Sequence, residues 1–544
     1  MRRIVAVKSL YLVVLLLFFS CNRAKKYTDK QIFRYNEAAN IASLDPAFAK
    51  DQSMIWVCLQ LFNGLVELDK DLNIRPSIAK DWTISSDKKE YRFNLRQDVF
   101  FHKSSVFGTR QTRKVVAADF VYSFNRIIDE KVASPGAWIF NNVASGGFIA
   151  ENDSTFVIKL KQPYAPFLGM LTMPYCSVVP HEALRHFGAD FRRNPVGTGA
   201  FRFKMWKEGV KLVLLRNDDY FETDEQGRHL PYLDAINISF IIDKQSVFLE
   251  FIKGNIDFIS GIDATYKDEL LTRSGKLQPK YADKINLYTQ PYLNTEYLGF
   301  LMDDTSKDNP LSNIKVRQAI NYGFDRKKMM RYLRNNIGSG SVSGMIPEGL
   351  AGFDSTKIFY NYDPAKAKAL LAEAGYPNGK GMPTITLSTT SSYLDLCKYI
   401  QQQLILLGME VKIDVNPPAA LREQIAQGKS RWFRGSWIAD FPDAENYLSL
   451  FYSGNLSPKG PNYTHFYDRT FDALYRKAQA EPDINSRKAL YEQMNALIMA
   501  QSPVVVLYYD QVLRFVHKNI SGLEANAMNL LILKRVKIDN PPAL

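Results

Sequence analysis

Short segments in which apolar and polar residues alternate recur along the whole chain. A period of two is typical of strands with one face in the core and one face in solvent. Residues 91–96 (YRFNLR) alternate strictly, and residues 201–205 and 211–215 predict a hairpin around Glu208 and Gly209. The predicted strands are 32–35, 91–96, 155–160, 201–205, 211–215, 384–387 and 410–415.

Segments with apolar residues at helical spacing lie between these strands. In residues 117–128, for example, Ala118, Val121, Phe124 and Ile128 fall on one side of a helix. The predicted helices are 54–68 (interrupted at Asn63 and Gly64), 117–128, 245–253, 313–333, 365–374, 394–407, 469–480 and 486–500. Alternation of helices and strands throughout the chain indicates the α/β class.

The beginning of the chain has the pattern of a secretory signal peptide. Arg2, Arg3 and Lys8 form a basic start, and residues 10–19 are an unbroken apolar run. This run is too short to cross a membrane, since a span of the hydrocarbon core takes about 20 residues. We therefore expect residues 1–20 to be removed from the mature protein.

Cys21 stands where the apolar run ends. Residues 18–21 (FFSC) resemble a bacterial lipobox, in which the cysteine is lipidated and becomes the new N-terminus. The alternative is a plain signal peptide in which Cys21 is incidental. In the first case, residues 21–31 are a polar tether that leads from the lipid to the folded protein.

Length and charge limit the number of domains and the kinds of partner. The 544 residues are too many for one core and predict two or three domains. The formal charge of +13 becomes +10 once residues 1–20 are removed, and such an excess is compatible with nucleic acid or a membrane surface. Lys327, Arg331 and Arg334 share one face of the predicted helix 313–333, although a solvated helix face is the commoner meaning of such a pattern.

Motifs for bond-breaking chemistry are not evident in the sequence. His181 and His186 are too far apart to be ligands on one helix face, and there is no HExxH motif, P-loop or GxGxxG motif. Residues 340–344 resemble a nucleophile elbow but have Val342 where the serine must stand. Residues 77–80 match SxxK without the companion motifs, so a turn or a helix surface is the better interpretation.

Five groups of motifs, in order along the chain, resemble those of one family. They are SLDP (43–46) with LFNGL (61–65); AKDW (79–82) with YRFNLR (91–96) and ADFVYS (118–123); NPVGTGAF (194–201) with RNDDYF (216–221); VRQAINY (316–322); and WIADFPD (437–443). The chain is similar in these segments to the large solute-binding proteins (family 5) of ABC importers, which take up peptides, nickel and related ligands. Residues 434–440 are most similar to the oligopeptide-binding lipoproteins.

The resemblance implies a two-lobed periplasmic-binding-protein fold of type II, or Venus flytrap, with an extra inserted domain. Lobe I would consist of residues 32–54, 200–292 and 509–544. The inserted domain of lobe I would be 55–199, and lobe II would be 293–508. The crossings near residues 292 and 508 would form the hinge.

The resemblance also implies a set of ligand-binding residues. Asp440 would take the α-ammonium group of a peptide, and Arg434 would meet the carboxylate of a short one. Trp437 would wall the cleft. The backbone would be contributed by Ile438 and Ala439 on one side and by Ile41 and Ala42 on the other. The alternatives are that Asp440 is a turn or cap residue and that Arg434 forms a surface ion pair.

The sequence thus predicts a monomeric receptor, anchored by lipidated Cys21 on the periplasmic side of the cell envelope. It would capture short peptides by lobe closure and deliver them to an ABC permease. We expect no catalytic residues, no cofactor, no metal and no nucleic-acid partner. The alternatives are a family receptor for a nickel chelate, a sugar or another small molecule, a secreted hydrolase, or a surface adhesin or nucleic-acid scavenger.

Overall fold

The computed structural model describes residues 30–261, 263, 265–340 and 343–539. The predicted signal peptide, Cys21 and most of the predicted tether lie outside these residues. Its helices are α1 (Gln52–Leu61), α2 (Ala117–Ile128), α3 (Phe167–Met170), α4 (His181–Phe187), α5 (Lys244–Ile252), α6 (Lys267–Leu270), α7 (Ile314–Tyr322), α8 (Arg326–Leu333), α9 (Pro364–Glu373), α10 (Leu394–Ile405), α11 (Pro418–Ala426), α12 (Glu445–Leu448), α13 (Arg469–Ala480) and α14 (Ile484–Gln501). In this part of the chain, no helix is both long enough and apolar enough to cross a bilayer.

The strands confirm the α/β class. They are β1 (Ile32–Asn36), β2 (Val66–Leu68), β3 (Ile74–Pro76), β4 (Ala79–Ile84), β5 (Glu90–Leu95), β6 (Val143–Asn152), β7 (Thr155–Leu160), β8 (Phe201–Lys207), β9 (Lys211–Arg216), β10 (Ala235–Ser239), β11 (Phe258–Ser260), β12 (Ile285–Phe300), β13 (Ile385–Thr389), β14 (Val411–Val415), β15 (Trp432–Ile438), β16 (Val504–His517), β17 (Ile520–Ser521) and β18 (Lys537–Ile538).

A mixed ten-stranded sheet organises the described chain. Its order is β14-β13-β15-β12-β16-β11-β1-β10-β9-β8. The predicted hairpin is confirmed as the antiparallel pair β8 and β9, and the predicted strand–helix–strand unit around α10 is confirmed as the parallel pair β13 and β14. A separate four-stranded sheet, in the order β4-β5-β7-β6, packs against α2.

The long strands β12 and β16 lie side by side in the middle of the large sheet. Their antiparallel register shifts between Pro291 and Thr295, whose partners are Gln511 and Tyr509. A register shift of this kind bends a strand and increases its twist. The irregularity falls at the positions where the sequence predicts the hinge crossings, while the domain boundaries themselves stay a prediction.

Apolar residues cover both faces of β12 and β15. Tyr297 and Phe433 belong to one buried cluster, and Leu298 and Trp432 belong to another on the opposite face, as the alternation of strand side chains requires. The largest cluster packs β1 and β10 against α1, α2 and the four-stranded sheet. The three described cysteines, Cys58, Cys176 and Cys397, are buried and free of disulfides.

The predicted single helix 313–333 is wrong, because the chain forms α7 and α8 with a break at Gly323. A side chain at Gly323 would approach methyl carbons of Leu404 and Leu407 to 2.8 Å, so close packing against the end of α10 and the residues after it requires a glycine at the break. Asp325 then starts α8 by accepting a hydrogen bond from the Lys328 amide.

Of the three cations predicted to share one face of this helix, Arg334 does not. Arg334 lies beyond the end of α8 and pairs with Asp510, and both side chains are 18% exposed. Lys327 and Arg331 remain exposed on α8. Two exposed cations are what an ordinary solvated helix face carries.

Candidate ligand-binding site

Asp440 stands two residues beyond the end of β15, in the short connection to α12. The side chain of Asn446 holds this connection in place. Its Oδ1 accepts a hydrogen bond of 2.6 Å from Trp437 Nε1 and one of 3.4 Å from the Asp440 amide. Asn446 is itself 3% exposed, so it forms a fixed support for Asp440 and Trp437.

The Asp440 side chain reaches solvent, yet protein atoms crowd it on several sides because it lies in a cleft. This crowding raises its pKa from 3.8 to about 6, while a hydrogen bond from Asn446 works in the opposite direction. Among the described residues, no basic side chain forms an ion pair with it. The arrangement leaves a carboxylate that gains from an added cation.

Two cavities meet at Asp440. The narrow cavity has a volume of about 160 Å³. One wall consists of residues of the proposed lobe I and inserted domain, such as Lys50, Gln52, Trp56, Tyr175 and Tyr292. The opposite wall is the segment Ile438, Ala439 and Asp440.

The wide groove on the other side of Asp440 has a volume of about 930 Å³. Its walls come from two separate parts of the chain, with Trp138, Gln162 and Tyr164 on one side and Trp437, Glu445 and Asn446 on the other. Aromatic and amide groups of this kind accept varied polar and apolar side chains.

The backbone next to Asp440 has an open edge. On one edge, β15 pairs with β12, and the Ala439 amide donates to the Leu293 carbonyl at 2.9 Å. On its other edge, β15 pairs with β13, and among the described residues this pairing is limited to Phe433 opposite Ser388. The rest of that edge can hydrogen-bond an extended ligand as an added strand.

The structure brings together Asp440, Trp437, Ile438 and Ala439 from the predicted ligand-binding residues. Ile438 is 46% exposed and Ala439 is buried, and both line the narrow cavity beside Asp440. Trp437 lines the wide groove.

Arg434 is not brought to these cavities. It lies three positions before Trp437 on β15, and because strand side chains alternate, Arg434 and Trp437 point to opposite faces of the sheet. Its guanidinium pairs with Glu296 and lies 3.2 Å from the centre of the Tyr393 ring. A contact between Arg434 and a ligand carboxylate stays a prediction.

Ile41 and Ala42 also lie away from both cavities. Ile41 is 4% exposed, and the Ala42 carbonyl accepts a hydrogen bond of 3.3 Å from Arg192. Their role as backbone partners of a ligand stays a prediction.

Glu445 is a site residue that the sequence analysis missed. Burial raises its pKa from 4.5 to about 7, although hydrogen bonds from Tyr475, Gln479 and Tyr164 lower it. Glu445 follows the recognised segment 437–443 by two residues, but nothing in the local pattern shows that it is buried or that distant tyrosines surround it.

Comparison with known proteins identifies the class of this site. A family model for "Bacterial extracellular solute-binding proteins, family 5 Middle" matches residues 73–458. The chain belongs to this family. The match confirms the family resemblance of the five groups of sequence motifs.

Curated relatives of this family 5 protein are similar over most of their length. The "Dipeptide-binding protein" of Escherichia coli (strain K12) is 26% identical over 498 residues, which cover 88% of this chain and 89% of the relative. The "Glutathione-binding protein GsiB" of Salmonella typhi is 27% identical over 490 residues, covering 89% and 90%.

Solved structures show the same fold. The periplasmic binding protein DppA from Helicobacter pylori, in complex with the peptide STSA, has a TM-score of 0.78 at 24% identity and covers 93% of this chain and 98% of its own. NikZ from Campylobacter jejuni, in complex with Ni(L-His), has a TM-score of 0.73 at 22% identity, covering 92% and 97%. The family 5 chain therefore has the two-lobed type II periplasmic-binding-protein fold.

Proposed function

We propose that this family 5 protein is a lipid-anchored extracytoplasmic receptor that captures short peptides by lobe closure and delivers them to an ABC permease. The observation that carries the proposal is the Asp440 carboxylate, which lacks a basic partner among the described residues and stands where two cavities meet. A peptide ammonium is the cation that fits this position. The names of the relatives, which bind a dipeptide or glutathione, support the same ligand class.

The surroundings of Asp440 favour a peptide over other ligands that carry a positive charge. The open edge of β15 offers backbone hydrogen bonds that are independent of the ligand's side chains. The wide groove next to Asp440 has room for a side chain of variable size. Together these features favour tight binding of the peptide backbone with loose side-chain preference.

Contacts between residues 135–170 and the segment around α12 and α13 support closure. Tyr164 donates a hydrogen bond to Glu445, and the Ala165 amide donates to the Gln479 carbonyl at 2.9 Å. The rings of Trp138 and Phe441 also meet, with centroids 6.3 Å apart. Contacts that form only when the lobes approach would shift the population toward the closed form.

Two measurements test the peptide ligand. The first is mass spectrometry of small molecules that co-purify with the protein under non-denaturing conditions. The second is calorimetry with the dipeptide Ala-Leu and with N-acetyl-Ala-Leu, on the native protein and on Asp440→Asn. We expect Ala-Leu to bind, N-acetylation to abolish most of the affinity, and Asp440→Asn to weaken Ala-Leu by about 2–5 kcal/mol.

The exposed Asp218 provides a matched control, because it lies outside both cavities. Asp218→Asn should bind Ala-Leu as the native protein does. Equal affinity for the free and the acetylated dipeptide would refute the ammonium role of Asp440. A metal chelate or a sugar as the co-purified ligand would instead favour another ligand class of the same family.

A further inference from the structure

Lys50 and Asp440 face the narrow cavity from different parts of the chain. Lys50 lies just before α1, and Asp440 lies just after β15. Of the described residues that line this cavity, these two are the charged ones, and their charges are opposite. A cavity with one cation and one anion in its walls is complementary to a zwitterion.

The Lys50 side chain is available to a ligand. It is exposed, and it forms no ion pair with its neighbour Asp51 or with any other described carboxylate. Its ammonium is a compact charge on a flexible stem, which can reach a carboxylate over a range of positions.

Arg434, the other candidate for a carboxylate contact, is already neutralised. Its guanidinium pairs with Glu296, and it lines neither the narrow cavity nor the wide groove. A ligand carboxylate would have to displace a buried glutamate to reach it. The cation that the narrow cavity itself offers is Lys50.

We propose that Lys50 binds the ligand's α-carboxylate while Asp440 binds its α-ammonium, so that the narrow cavity selects small zwitterions such as dipeptides. This inference rests on the proposed function, because it names the second end of the same ligand. The volume of about 160 Å³ is well below the roughly 300–1,000 Å³ of sites for drug-sized ligands. A bulky N-terminal side chain would enter the wide groove, which opens on the other side of Asp440.

A ligand bound in this way connects the two proposed lobes. Lys50 belongs to the proposed lobe I, and Asp440 belongs to the proposed lobe II. A zwitterion held at both ends ties these two parts together, whereas a ligand that lacks either charge contacts only one of them through an ion pair.

Calorimetry with three probes tests the role of Lys50. The probes are Ala-Leu, its C-terminal amide and N-acetyl-Ala-Leu, and the proteins are the native chain and Lys50→Met. We expect the native protein to prefer the free acid over the amide by about tenfold or more, as for a hydrogen-bonded ion pair. Lys50→Met should bind the acid and the amide with equal affinity, while it still rejects the acetylated probe.

Two further variants separate Lys50 from other cations. The exposed Lys204 on β8 is remote from the narrow cavity, and Lys204→Met should keep the preference for the acid. The double variant Arg434→Met with Glu296→Gln removes the buried pair as a unit, and it should keep that preference as well. The inference is overturned if Lys50→Met retains the preference or if the double variant loses it.

The outcomes also distinguish this inference from the proposed function. If the native protein requires a free ammonium but is indifferent to the carboxylate, only the role of Lys50 is overturned. If the acetylated probe binds as well as Ala-Leu, the ammonium role of Asp440 on which the proposed function depends fails together with this inference. If Ala-Leu does not bind at all, the selection of dipeptide zwitterions is overturned, and the co-purified ligand decides the proposed function separately.

Discussion

Arg434 on β15 and Glu296 on β12 form an ion pair that is buried in the middle of the ten-stranded sheet. Their side chains are 11% and 3% exposed, respectively. Asn294 adds a hydrogen bond of 3.2 Å to the same glutamate. The pair therefore ties the strand that precedes Asp440 to one of the two long strands at the proposed hinge.

Breaking this pair on one side should destabilise the protein strongly. In Arg434→Met, Glu296 is left as a buried charge without its partner, and we expect a loss of about 3–5 kcal/mol in the free energy of unfolding. The double variant Arg434→Met with Glu296→Gln should recover much of that loss, because no uncompensated charge remains. Urea denaturation measures both, and a single variant as stable as the native protein would contradict the prediction.

Peptide binding should weaken in acid through Asp440. Only the carboxylate form attracts an ammonium group, and crowding raises the pKa of Asp440 to about 6. Protonation therefore competes with the ligand below this value, and the affinity for Ala-Leu should fall by about tenfold per pH unit there, while it levels off toward pH 7. Calorimetry from about pH 5 to pH 7 measures the profile and stays below the titration of the ligand's own α-amino group. In Asp440→Asn the affinity should be weak and independent of pH over this range.

Asn446 should act by positioning Asp440 and by tuning its charge. The hydrogen bond from Asn446 lowers the pKa of Asp440, so its removal in Asn446→Ala should raise that pKa further. We expect the pH midpoint of Ala-Leu binding to move upward, together with an affinity loss of about 1–3 kcal/mol from the freed Trp437 and Asp440 groups. A loss of affinity with an unchanged midpoint would mean that Asn446 has a structural role only.

The parts of the fold that depend on local pattern could be predicted from the sequence. Helix α2 and strand β7 have the predicted bounds, 117–128 and 155–160, but the predicted apolar side of α2 is wrong: Ala117, Phe120, Phe124 and Ile127 are buried, whereas Ala118 and Ile128 are exposed. The break between α7 and α8 was missed although Asp325, which caps α8, is a local signal. What the local pattern does not show is that Gly323 packs too closely to Leu404 and Leu407, about 80 residues further along the chain, for a side chain to fit.

The residues of the candidate site also divide into those that a local motif reveals and those that depend on distant contacts. Asp440 and Trp437 were found because they stand in one recognisable segment, 437–443. The partner of Arg434 is 138 residues away, so its burial could not be inferred from β15 alone. Lys50 carries no motif, and its significance comes only from the cavity that it shares with Asp440.

The lipid anchor can be tested at Cys21, which lies outside the described residues. We expect the mature protein to begin at Cys21 and to carry lipid there, and Cys21→Ser should release the protein from the membrane fraction. Asn22→Ala is the matched control at the adjacent position and should stay membrane-bound. Mass spectrometry of the N-terminal peptide reads the modification directly, and an unmodified mature N-terminus other than Cys21 would refute the anchor.

Glu445 should make stability fall as the pH rises from about 4.5 to 7. Burial raises its pKa from 4.5 to about 7, so the folded protein holds a proton that the unfolded chain loses within this window. The contribution is fully present below pH 4.5, declines through the window and is constant above pH 7. Because Glu445 is 5% exposed, the full change is about 3 kcal/mol.

The isosteric variant Glu445→Gln removes this titration and keeps an oxygen that accepts a hydrogen bond from Tyr475 or Tyr164. Its unfolding free energy should therefore be less dependent on pH, and its advantage over the native protein should grow by about 3 kcal/mol between the two ends of the window. The exposed Glu410 is the matched control, and Glu410→Gln should run parallel to the native protein. If the curves for Glu445→Gln and the native protein are also parallel, Glu445 does not titrate in this window. The hydrogen bond from Tyr164 would then join the two walls of the wide groove independently of pH.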